Sequence, residues 1–360
     1  MESSRLRRKR AEQEKRRYDK VKAYIKDGKA MKKIINDVTR VEEEMISGLI
    51  KANPDKLERI ENELIVVRRD RKKDKVAIVS GGGSGHEPAH AGYVGYGMLD
   101  AAVAGAVYTS PSVDVISEGI RAVENGKGTL LIVKNYTGDV INFNMAAEEV
   151  EDEDDIKTMK VVVGDDVAVE NSTWTAGRRG VAGTIFVHKI AGAMAENGAE
   201  LEEVAAVAQK VIDNVRTMGM AINPCIVPAA GIPGFTLGDD EMEIGIGIHG
   251  EPGVRREKLR SADDIVDELL EKILSDIDYT GSEVAVMVNG CGGTPLMELY
   301  IAFGRVADVL KEKNIKIYRS FVGNFMTSIE MEGFSITLLR LDEQLKTLLD
   351  APADTPAFKN

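Results

Sequence analysis

Residues 80–88 read Ser-Gly-Gly-Gly-Ser-Gly-His-Glu-Pro and follow an apolar run, Val76-Ala-Ile-Val79. Such a run is typical of a buried strand. The four glycines after Ser80 allow positive φ angles and a close approach of the backbone to a ligand. Open α/β sheets bind ligands where parallel strands end, so we predict a ligand site here, with His86 beside it.

A second glycine-flanked histidine lies far along the chain. Residues 247–253 read Gly-Ile-His-Gly-Glu-Pro-Gly, so His249, like His86, stands near a Glu-Pro pair. Small neighbours disfavour a packed core role for these two histidines and favour chemistry, with a turn-capping role as the alternative for each. His90 and His188 lie in helix-like, partly apolar surroundings, where we expect structural roles.

Length and composition indicate a two-domain protein with acidic character. The chain has 360 residues, which at roughly 150 residues per domain is enough for two domains. Its net charge of −12 repels polyanions and argues against nucleic acid as a partner. Because it has two cysteines, no apolar run of transmembrane length and no signal peptide, we expect a cytoplasmic protein without membrane contact.

The first thirty residues differ from the rest of the chain. Residues 1–30 contain 12 Lys/Arg and 5 Asp/Glu, a net charge of +7. This extension has two alternative interpretations, an arm that binds nucleic acid or a membrane surface and a solvated segment that is disordered or helical. It has almost no apolar face to insert or pack, so the solvated segment is favoured.

Strand-like and helix-like segments alternate, which is typical of an α/β fold with a parallel sheet. In the first half the pattern predicts a helix over 32–52 and strands over 64–67, 76–80, 101–107, 130–133 and 160–163. In the second half it predicts helices over 182–197, 200–218, 262–277 and 295–313, and strands over 225–228, 242–248, 283–289, 315–319 and 334–341. We therefore predict two α/β domains, residues 31–185 with a largely parallel sheet and residues 186–360.

Motifs for nucleotides and metals are absent or weak. No Lys-Ser/Thr follows the glycine stretch, so it is not a P-loop, and His86 replaces the last glycine of a dinucleotide pattern. Residues 245–250 match Gly-x-Gly-x-x-Gly, but within a strand-like Gly/Ile alternation that Pro252 soon ends. Seven acids within residues 148–155 are typical of a solvated helix end, with a metal site as the alternative. With no zinc-like spacing either, we expect no metal or cofactor on this chain.

A second group of polar residues follows the most apolar strand, residues 130–133. Lys134 ends this strand, and Asp139 follows in a loop that contains a glycine. If this strand and strand 76–80 are parallel, Asp139 and His86 leave the same edge of the sheet. A carboxylate and an imidazole that meet there can serve as base and acid. A helix N-cap is the alternative role for Asp139.

These stretches together resemble the dihydroxyacetone-binding subunit of dihydroxyacetone kinase. The resemblance extends from Met31 to residue 357, nearly the whole chain after the basic extension. Six blocks in the same order carry it: Ser80-Gly-Gly-Gly-Ser-Gly-His-Glu-Pro88, Lys134-Asn-Tyr-Thr-Gly-Asp139, Thr175-Ala-Gly-Arg-Arg-Gly180, Val227-Pro-Ala-Ala-Gly231, Gly247-Ile-His-Gly-Glu-Pro-Gly253 and Gly333-Phe-Ser-Ile-Thr-Leu-Leu339.

The resemblance implies a role for each matching residue. His249 is implied to add to the C2 carbonyl of dihydroxyacetone and to hold it as a covalent hemiaminal, for which a neutral imidazole is a competent nucleophile. Asp139 is implied to take the proton of the hydroxyl that is phosphorylated, and His86 to polarise the substrate and assist proton movement. The residues implied to line the substrate are Gly83, Ser84, Gly85, His86, Lys134, Asp139 and His249. These blocks come from both halves of the chain, so we expect the site between the two domains.

The resemblance also implies where the phosphate comes from. Members that use ATP carry a fused nucleotide-binding domain after this region, whereas this chain stops at Asn360. We therefore expect a separate partner subunit that holds ADP or ATP with Mg²⁺, recharged by a phosphotransferase-system-like protein from phosphoenolpyruvate. Arg178 and Arg179 are candidates for docking that partner, with a structural salt bridge as the alternative. The resemblance further implies a homodimer.

A non-catalytic relative is the alternative function. Some paralogues bind dihydroxyacetone, share the fold and the hemiaminal histidine, and act as transcriptional co-activators. The presence of both Asp139 and His86 favours the enzyme. A related ketose such as erythrulose is the alternative substrate.

Overall fold

A computed structural model describes residues 32–172 and 175–360 of the chain. The extension predicted over residues 1–30 lies outside these described residues. In chain order the elements are α1 (Val41–Ala52), β1 (Leu57–Arg59), β2 (Ile65–Arg68), β3 (Ala77–Ser84), β4 (Ala101–Val107), α2 (Val113–Val123), β5 (Thr129–Lys134), α3 (Thr137–Asp154), β6 (Thr158–Val163), α4 (Thr184–Glu196), α5 (Leu201–Asn214), β7 (Val215–Asn223), β8 (Glu241–Ile244), β9 (Arg255–Lys258), α6 (Ala262–Asp276), β10 (Glu283–Gly290), α7 (Leu296–Glu312), β11 (Lys316–Gly323), β12 (Glu332–Leu341) and α8 (Glu343–Asp350).

The first sheet has six strands in the order β1-β2-β4-β3-β5-β6. Strands β4, β3, β5 and β6 run parallel to one another, while β1 and β2 are antiparallel to their neighbours. This arrangement confirms the predicted α/β class with a largely parallel first sheet. Strands β3 and β5 are buried along their whole length, which explains their continuous apolar sequences. Because they are parallel neighbours, the segments that carry His86 and Asp139 leave the same edge of the sheet.

Helices and sheets alternate in five layers. Helices α2 and α3 cover one face of the first sheet. Helices α4 and α5 cover its other face and also pack against the second sheet, whose outer face is covered by α6 and α7. Every residue of α4 except Met194 is buried. A helix that is apolar nearly all round is expected where it is enclosed on both sides, as here between two sheets.

The second sheet also has six strands, in the order β11-β10-β12-β7-β8-β9. Only β10 and β11 are parallel, and the other pairs are antiparallel. The strand predicted over 242–248 ends at Ile244, and the following residues form the loop that carries His249. The second sheet therefore presents a loop, not a strand, to the predicted site.

Near the start of the second sheet, one predicted helix is too long and one predicted strand is absent. The helix predicted over 200–218 ends at Asn214, and the chain continues at once as strand β7. Apolar residues at Val211, Val215 and Met218 keep a spacing that fits a helix across this junction, which hides the change. Residues 225–228 form no strand, although their apolar run suggests one.

Two boundaries in the first half also differ from the prediction. The helix predicted over 32–52 begins only at Val41. Strand β3 continues to Ser84, so the first glycines belong to the strand and not to a loop. A β-carbon on Gly81 would collide with the carbonyl oxygen of Val103, and one on Gly83 would lie 2.6 Å from the backbone nitrogen of Thr109. These glycines therefore allow the backbone of β3 to lie in close contact with β4 and with the segment that follows β4.

The described chain forms two sheet layers that share the helices between them. Because α4 and α5 contact both sheets, the predicted domain boundary at residue 185 stays a prediction. No helix among the described residues is long and apolar enough to cross a membrane.

Candidate active site

His86 and His249 meet where the first sheet faces the second. His86 follows β3, and His249 lies in the loop between β8 and β9. Their Nε2 atoms are 3.0 Å apart although 163 residues separate them in sequence. The imidazole planes cross at 73°, with ring centroids 4.7 Å apart. The two glycine-flanked histidines of the sequence therefore form one pair.

The outer nitrogen of each ring is held by an acceptor. Nδ1 of His86 lies 2.8 Å from the carbonyl oxygen of Thr327, and Nδ1 of His249 lies 2.8 Å from Oε1 of Glu251. A carbonyl and a carboxylate can only accept, so each Nδ1 carries the hydrogen and donates it. Each ring therefore turns its Nε2 towards the other histidine.

Glu251 is ionised and belongs to the same loop as His249. Its Oε2 also accepts the backbone N–H of His249 at 2.9 Å. Burial by itself raises the pKa of Glu251, but the charge and hydrogen bonds of His249 outweigh burial and lower it to about 2. A β-carbon on Gly247 would collide with the Glu251 carboxylate, so glycine is required there.

Backbone hydrogen bonds fix the His86 segment to the loop before β12. The N–H of Ile329 donates to the carbonyl of Gly85 at 2.8 Å, and the N–H of Thr327 donates to the carbonyl of His86 at 3.2 Å. The hydroxyl of Thr327 donates to the carbonyl of Glu87 at 2.8 Å. The position of His86 relative to the second sheet is therefore set largely by main-chain contacts.

Lys134 and Asp139 lie next to the same strand end. Lys134 ends β5, and Asp139 lies in the first turn of α3, where it is buried and does not cap the helix. A β-carbon on Gly82 would stand 3.1 Å from Nζ of Lys134 and 3.5 Å from Oδ2 of Asp139. Among the described residues, neither the Lys134 Nζ nor the Asp139 Oδ1 has a hydrogen-bond partner. Buried polar atoms seldom stay unpaired, so a polar substrate suits this position.

Burial tunes the proton affinities of these groups. It raises the pKa of Asp139, against the opposing effects of Lys134, a hydrogen bond to Ser110 and His249. It lowers the pKa of Lys134, which Asp139 opposes. Burial, together with the nearby Lys134 and His249, lowers the pKa of His86 well below its usual value. Asp139 is thus a stronger base than an exposed aspartate, and the His86 ring favours its neutral form.

Two tyrosines enclose the histidine pair. The ring of Tyr108 stacks on His86 with centroids 5.3 Å apart, and it meets His249 edge-on at 5.0 Å. Tyr136 meets His249 edge-on at 4.6 Å, and the Nζ of Lys134 lies 5.6 Å from the centroid of the Tyr136 ring. The Tyr108 hydroxyl is 2.8 Å from Oγ of Ser328. These contacts hold both imidazole planes and limit the access of water.

The glycine stretch contributes mainly backbone to the site. The Ser84 hydroxyl already donates to the carbonyl of Gly105 at 2.8 Å. The Gly85 N–H donates to the Glu87 carboxylate at 3.1 Å. The substrate contacts predicted for Gly83, Ser84 and Gly85 stay predictions.

The other two histidines form a separate buried pair. Nδ1 of His90 lies 3.0 Å from Nε2 of His188, behind β3 and against α4. Burial lowers the pKa of both rings, to about 3 for His188, so both are neutral. This placement agrees with the structural roles expected for them.

Arg178 and Arg179 both form salt bridges within the chain. Both terminal guanidinium nitrogens of Arg178 donate to Asp276, at 2.9 and 2.5 Å. Arg179 is fully buried and donates to Asp166 and to the carbonyl of Gly245. The structure thus contains the salt bridges of the alternative interpretation, while a contact of the partly exposed Arg178 with a partner stays a prediction.

Several residues of the site were not identified from the sequence. Glu251 stands two residues after His249. Its position in the Glu-Pro pair, which also follows His86, was the sequence feature that could have indicated a role in the site. Tyr108 and Tyr136 follow strands β4 and β5 without any motif of their own. Thr327 contributes its backbone carbonyl, which any residue at this position would also provide. Within the described ranges, no three His, Cys, Asp or Glu side chains cluster as a metal ion requires.

The fold and the site define an α/β protein with a histidine pair between two sheets. The chain belongs to the Dak1 domain family, which matches residues 47–357. It is 54% identical to the "PTS-dependent dihydroxyacetone kinase 1, dihydroxyacetone-binding subunit DhaK" of Listeria innocua, over 91% of this chain and 100% of that protein. The resemblance drawn from the sequence is therefore confirmed.

Two solved structures are similar in fold as well as in sequence. The dihydroxyacetone kinase of C. freundii has a TM-score of 0.84 and 37% identity, covering 92% of this chain and 60% of that one. The "dihydroxyacetone kinase operon co-activator Dha-DhaQ" has a TM-score of 0.82 and 38% identity, covering 88% of this chain and 97% of that one. Enzyme and regulator thus share this architecture.

Proposed function

We propose that the chain is the dihydroxyacetone-binding subunit of a dihydroxyacetone kinase and that it holds the ketone on His249 as a hemiaminal. The contact between the Nε2 atoms of His249 and His86, beside the buried Asp139 and Lys134, carries the proposal. The name of the Listeria innocua relative supports the same substrate.

The first step is capture of the ketone. Nε2 of His249 attacks C2, a C–N bond forms, and the carbonyl π pair moves to oxygen, which takes a proton delivered through His86. Glu251 keeps the hydrogen on Nδ1, so Nε2 is the nitrogen available for attack. Glycerol has a similar shape but no carbonyl to attack, so this step selects ketones.

The second step is transfer of the phosphoryl group. Asp139 takes the hydroxyl proton while the oxygen bonds to phosphorus, and the nucleotide leaves with the electron pair of the broken P–O bond. Burial raises the pKa of Asp139, which suits it to accept this proton. Lys134 lies beside the same strand end and offsets the negative charge on the carboxylate.

The nucleotide belongs to a partner in this proposal. The Listeria innocua relative is named as a subunit of a phosphotransferase-system-dependent kinase, and the match covers its whole length. By analogy, a separate subunit supplies ADP or ATP with Mg²⁺ and is recharged by a phosphotransferase-system-like protein. A homodimer remains a prediction.

A second candidate function is co-activation of transcription. It is favoured by the similarity to the co-activator structure, which matches this chain as well as the kinase does. The site residues Asp139 and His86 favour the enzyme, because a pure sensor of dihydroxyacetone needs no base for the hydroxyl.

Formation of dihydroxyacetone phosphate tests the proposal. We expect none with ATP alone and steady turnover with an ADP-loaded partner subunit and its phospho-donor. His249→Ala should lose both turnover and the ketone adduct in native mass spectrometry, whereas His188→Gln, in the buried structural pair, should keep the adduct. An adduct that persists in His249→Ala would contradict the assignment. Ketone binding without turnover under every condition would favour the co-activator.

A further inference from the structure

The Nε2 atoms of His86 and His249 face each other at hydrogen-bond distance, which requires a proton between them. With Nδ1 hydrogens already donated to Thr327 and Glu251, two neutral rings would place two lone pairs 3.0 Å apart. Two lone pairs repel, and a hydrogen bond needs one donor. One additional proton converts the contact into a hydrogen bond.

The charged groups around the pair also favour an additional proton on the two histidines. The first sheet and its helix contribute most of the titratable and charged groups around the pair and Glu251: Lys134 and Tyr136 at the end of β5, Asp139 in α3, Tyr108 after β4 and His90 after β3. The segment before α4 contributes the others, Arg179, Asp165 and Asp166. Lys134 offsets Asp139, and Arg179 offsets Asp166. Glu251 also interacts with both cations, so among the described groups around the pair Lys134 and Arg179 are two positive charges shared by three carboxylates, Asp139, Asp166 and Glu251. A proton on the histidine pair supplies the third positive charge.

The other described groups around the pair add no positive charge. Asp165 accepts hydrogen bonds from the N–H groups of Val181 and Gly183 and from the hydroxyl of Thr217, so it needs no cation. The tyrosines and His90 are neutral in their buried positions. A buried carboxylate whose negative charge is only partly balanced is costly, so the position of Glu251 favours a proton on His249.

We propose that Glu251 is a positioning residue that keeps one proton shared between the Nε2 atoms of His249 and His86, so that the empty site meets its ketone as a protonated pair. The proton rests on the His249 side, next to Glu251, and His86 accepts its hydrogen bond. Nε2 of His249, the nucleophilic nitrogen, is therefore protonated until a ketone enters. The proposal deepens the proposed function and rests on it for the chemistry of capture.

Capture of the ketone then needs no proton from solvent. The shared proton moves to Nε2 of His86 and from there to the carbonyl oxygen, while Nε2 of His249 bonds to C2. The product holds a hydroxyl on C2 and a positively charged, carbon-substituted His249 ring that still donates Nδ1–H to Glu251. The total charge is unchanged, so Glu251 remains paired throughout.

The pH dependence of the adduct follows from this balance. Above the pKa of the shared proton the empty site has lost a proton that the adduct still carries, so adduct formation must take one up from solvent. Linkage then makes the adduct constant fall about tenfold for each pH unit. Glu251→Gln keeps an acceptor for Nδ1–H but removes the charge, so the fall should begin about 1 to 3 pH units lower.

Two measurements test the proposal. Ring-nitrogen NMR of the ligand-free protein should show one histidine with both nitrogens protonated in the unchanged chain at pH 7, and Glu251→Gln should lose this signal at a pH about 1 to 3 units lower than the unchanged chain does. Native mass spectrometry with dihydroxyacetone should give the displaced pH profile in Glu251→Gln. Glu243→Gln is the matched control, because Glu243 is a buried carboxylate at the end of β8, just before the loop of Glu251, and accepts hydrogen bonds from Gly253 and Arg256 rather than from His249.

The outcomes separate this proposal from the proposed function. Four neutral histidines at pH 7 in the unchanged chain would overturn proton sharing, whether or not Glu251→Gln folds. An adduct that is weaker at every pH in Glu251→Gln, with no displaced profile, would overturn it by assigning Glu251 a purely structural role. A protonated pair that forms no ketone adduct would support proton sharing and contradict the proposed function.

Discussion

The ring of Tyr108 lies parallel to the ring of His86, with an angle of 19° between the planes and 5.3 Å between the centroids. Tyr108→Ala should lower kcat/KM for dihydroxyacetone about three- to tenfold, because it removes the surface that orients His86. Steady-state kinetics of the reconstituted kinase provide the measurement. Tyr108→Phe is the control, because it keeps the stacked ring and removes only the hydroxyl. An equal loss in both variants would assign the effect to the hydroxyl and its bond to Ser328.

The loop of His249 gives a second prediction. Gly247→Ala should lower the ketone adduct constant at least about tenfold, because its β-carbon would push the Glu251 carboxylate away from His249 and break a charged hydrogen bond. Titration with dihydroxyacetone, followed by native mass spectrometry, measures the constant.

Gly234→Ala is the control for this variant. Gly234 lies in the neighbouring loop and does not adopt a positive φ, and a β-carbon added there would have no other atom within 4 Å. It should bind ketone normally. A normal adduct in Gly247→Ala would show that the Glu251 carboxylate moves without cost.

Asp139 separates capture from transfer. Asp139→Asn should keep the ketone adduct and lower kcat about 10²- to 10⁴-fold, the range expected for loss of a general base. In the unchanged chain kcat should fall as pH decreases through the pKa of Asp139, which burial raises above the ordinary value of 3.8. The dependence should disappear in Asp139→Asn. Asp154→Asn, at the far end of α3, should keep full activity. Unchanged turnover in Asp139→Asn would remove this residue from the mechanism.

Asp276 tests the structural role of Arg178. Hydrogen bonds from Arg178 and Arg216 outweigh burial and lower the pKa of Asp276 to about 2. A lowered pKa stabilises the fold above the unfolded value of 3.8, and this contribution is lost as pH falls through about 2. Asp276→Asn should therefore lower the free energy of unfolding by about 1 kcal/mol at pH 7, after allowance for solvent screening.

Urea denaturation from pH 7 to pH 2 measures this effect, and the difference from the unchanged chain should shrink as pH falls. Asp267→Asn, which breaks a more exposed pair with Arg305, should change stability less. A larger effect in Asp267→Asn would contradict the importance of the Arg178 pair.

The sequence was sufficient for the parts of the site that depend on strand ends. Two apolar strands predicted that His86 and Asp139 leave the same sheet edge, and β3 and β5 are indeed parallel neighbours. The meeting of His86 with His249 came from family resemblance, because nothing in local spacing sets contacts across 163 residues. The hydrogen bond to Thr327 could not be predicted from the sequence, because every residue type has the same backbone carbonyl.

The errors in secondary structure have a similar physical origin. The run from Val211 to Met218 is compatible with a helix or a strand, and pairing with β12 and β8 makes Val215–Asn223 a strand. The glycines at 81–83 suggested a loop because the neighbouring strand that requires them is not visible locally. Tertiary contact decided both cases.

The hydrogen bond from His86 to Thr327 joins positions 241 residues apart. During synthesis the ribosome must therefore produce almost the whole chain before this ring can be oriented. His86 and His249 are both made before Thr327, so the two rings are present but His86 lacks the acceptor that orients it. An incomplete or partly unfolded chain thus carries no aligned imidazole pair to react with the free carbonyl compounds of its surroundings, and the capacity to trap a ketone appears only with the finished fold.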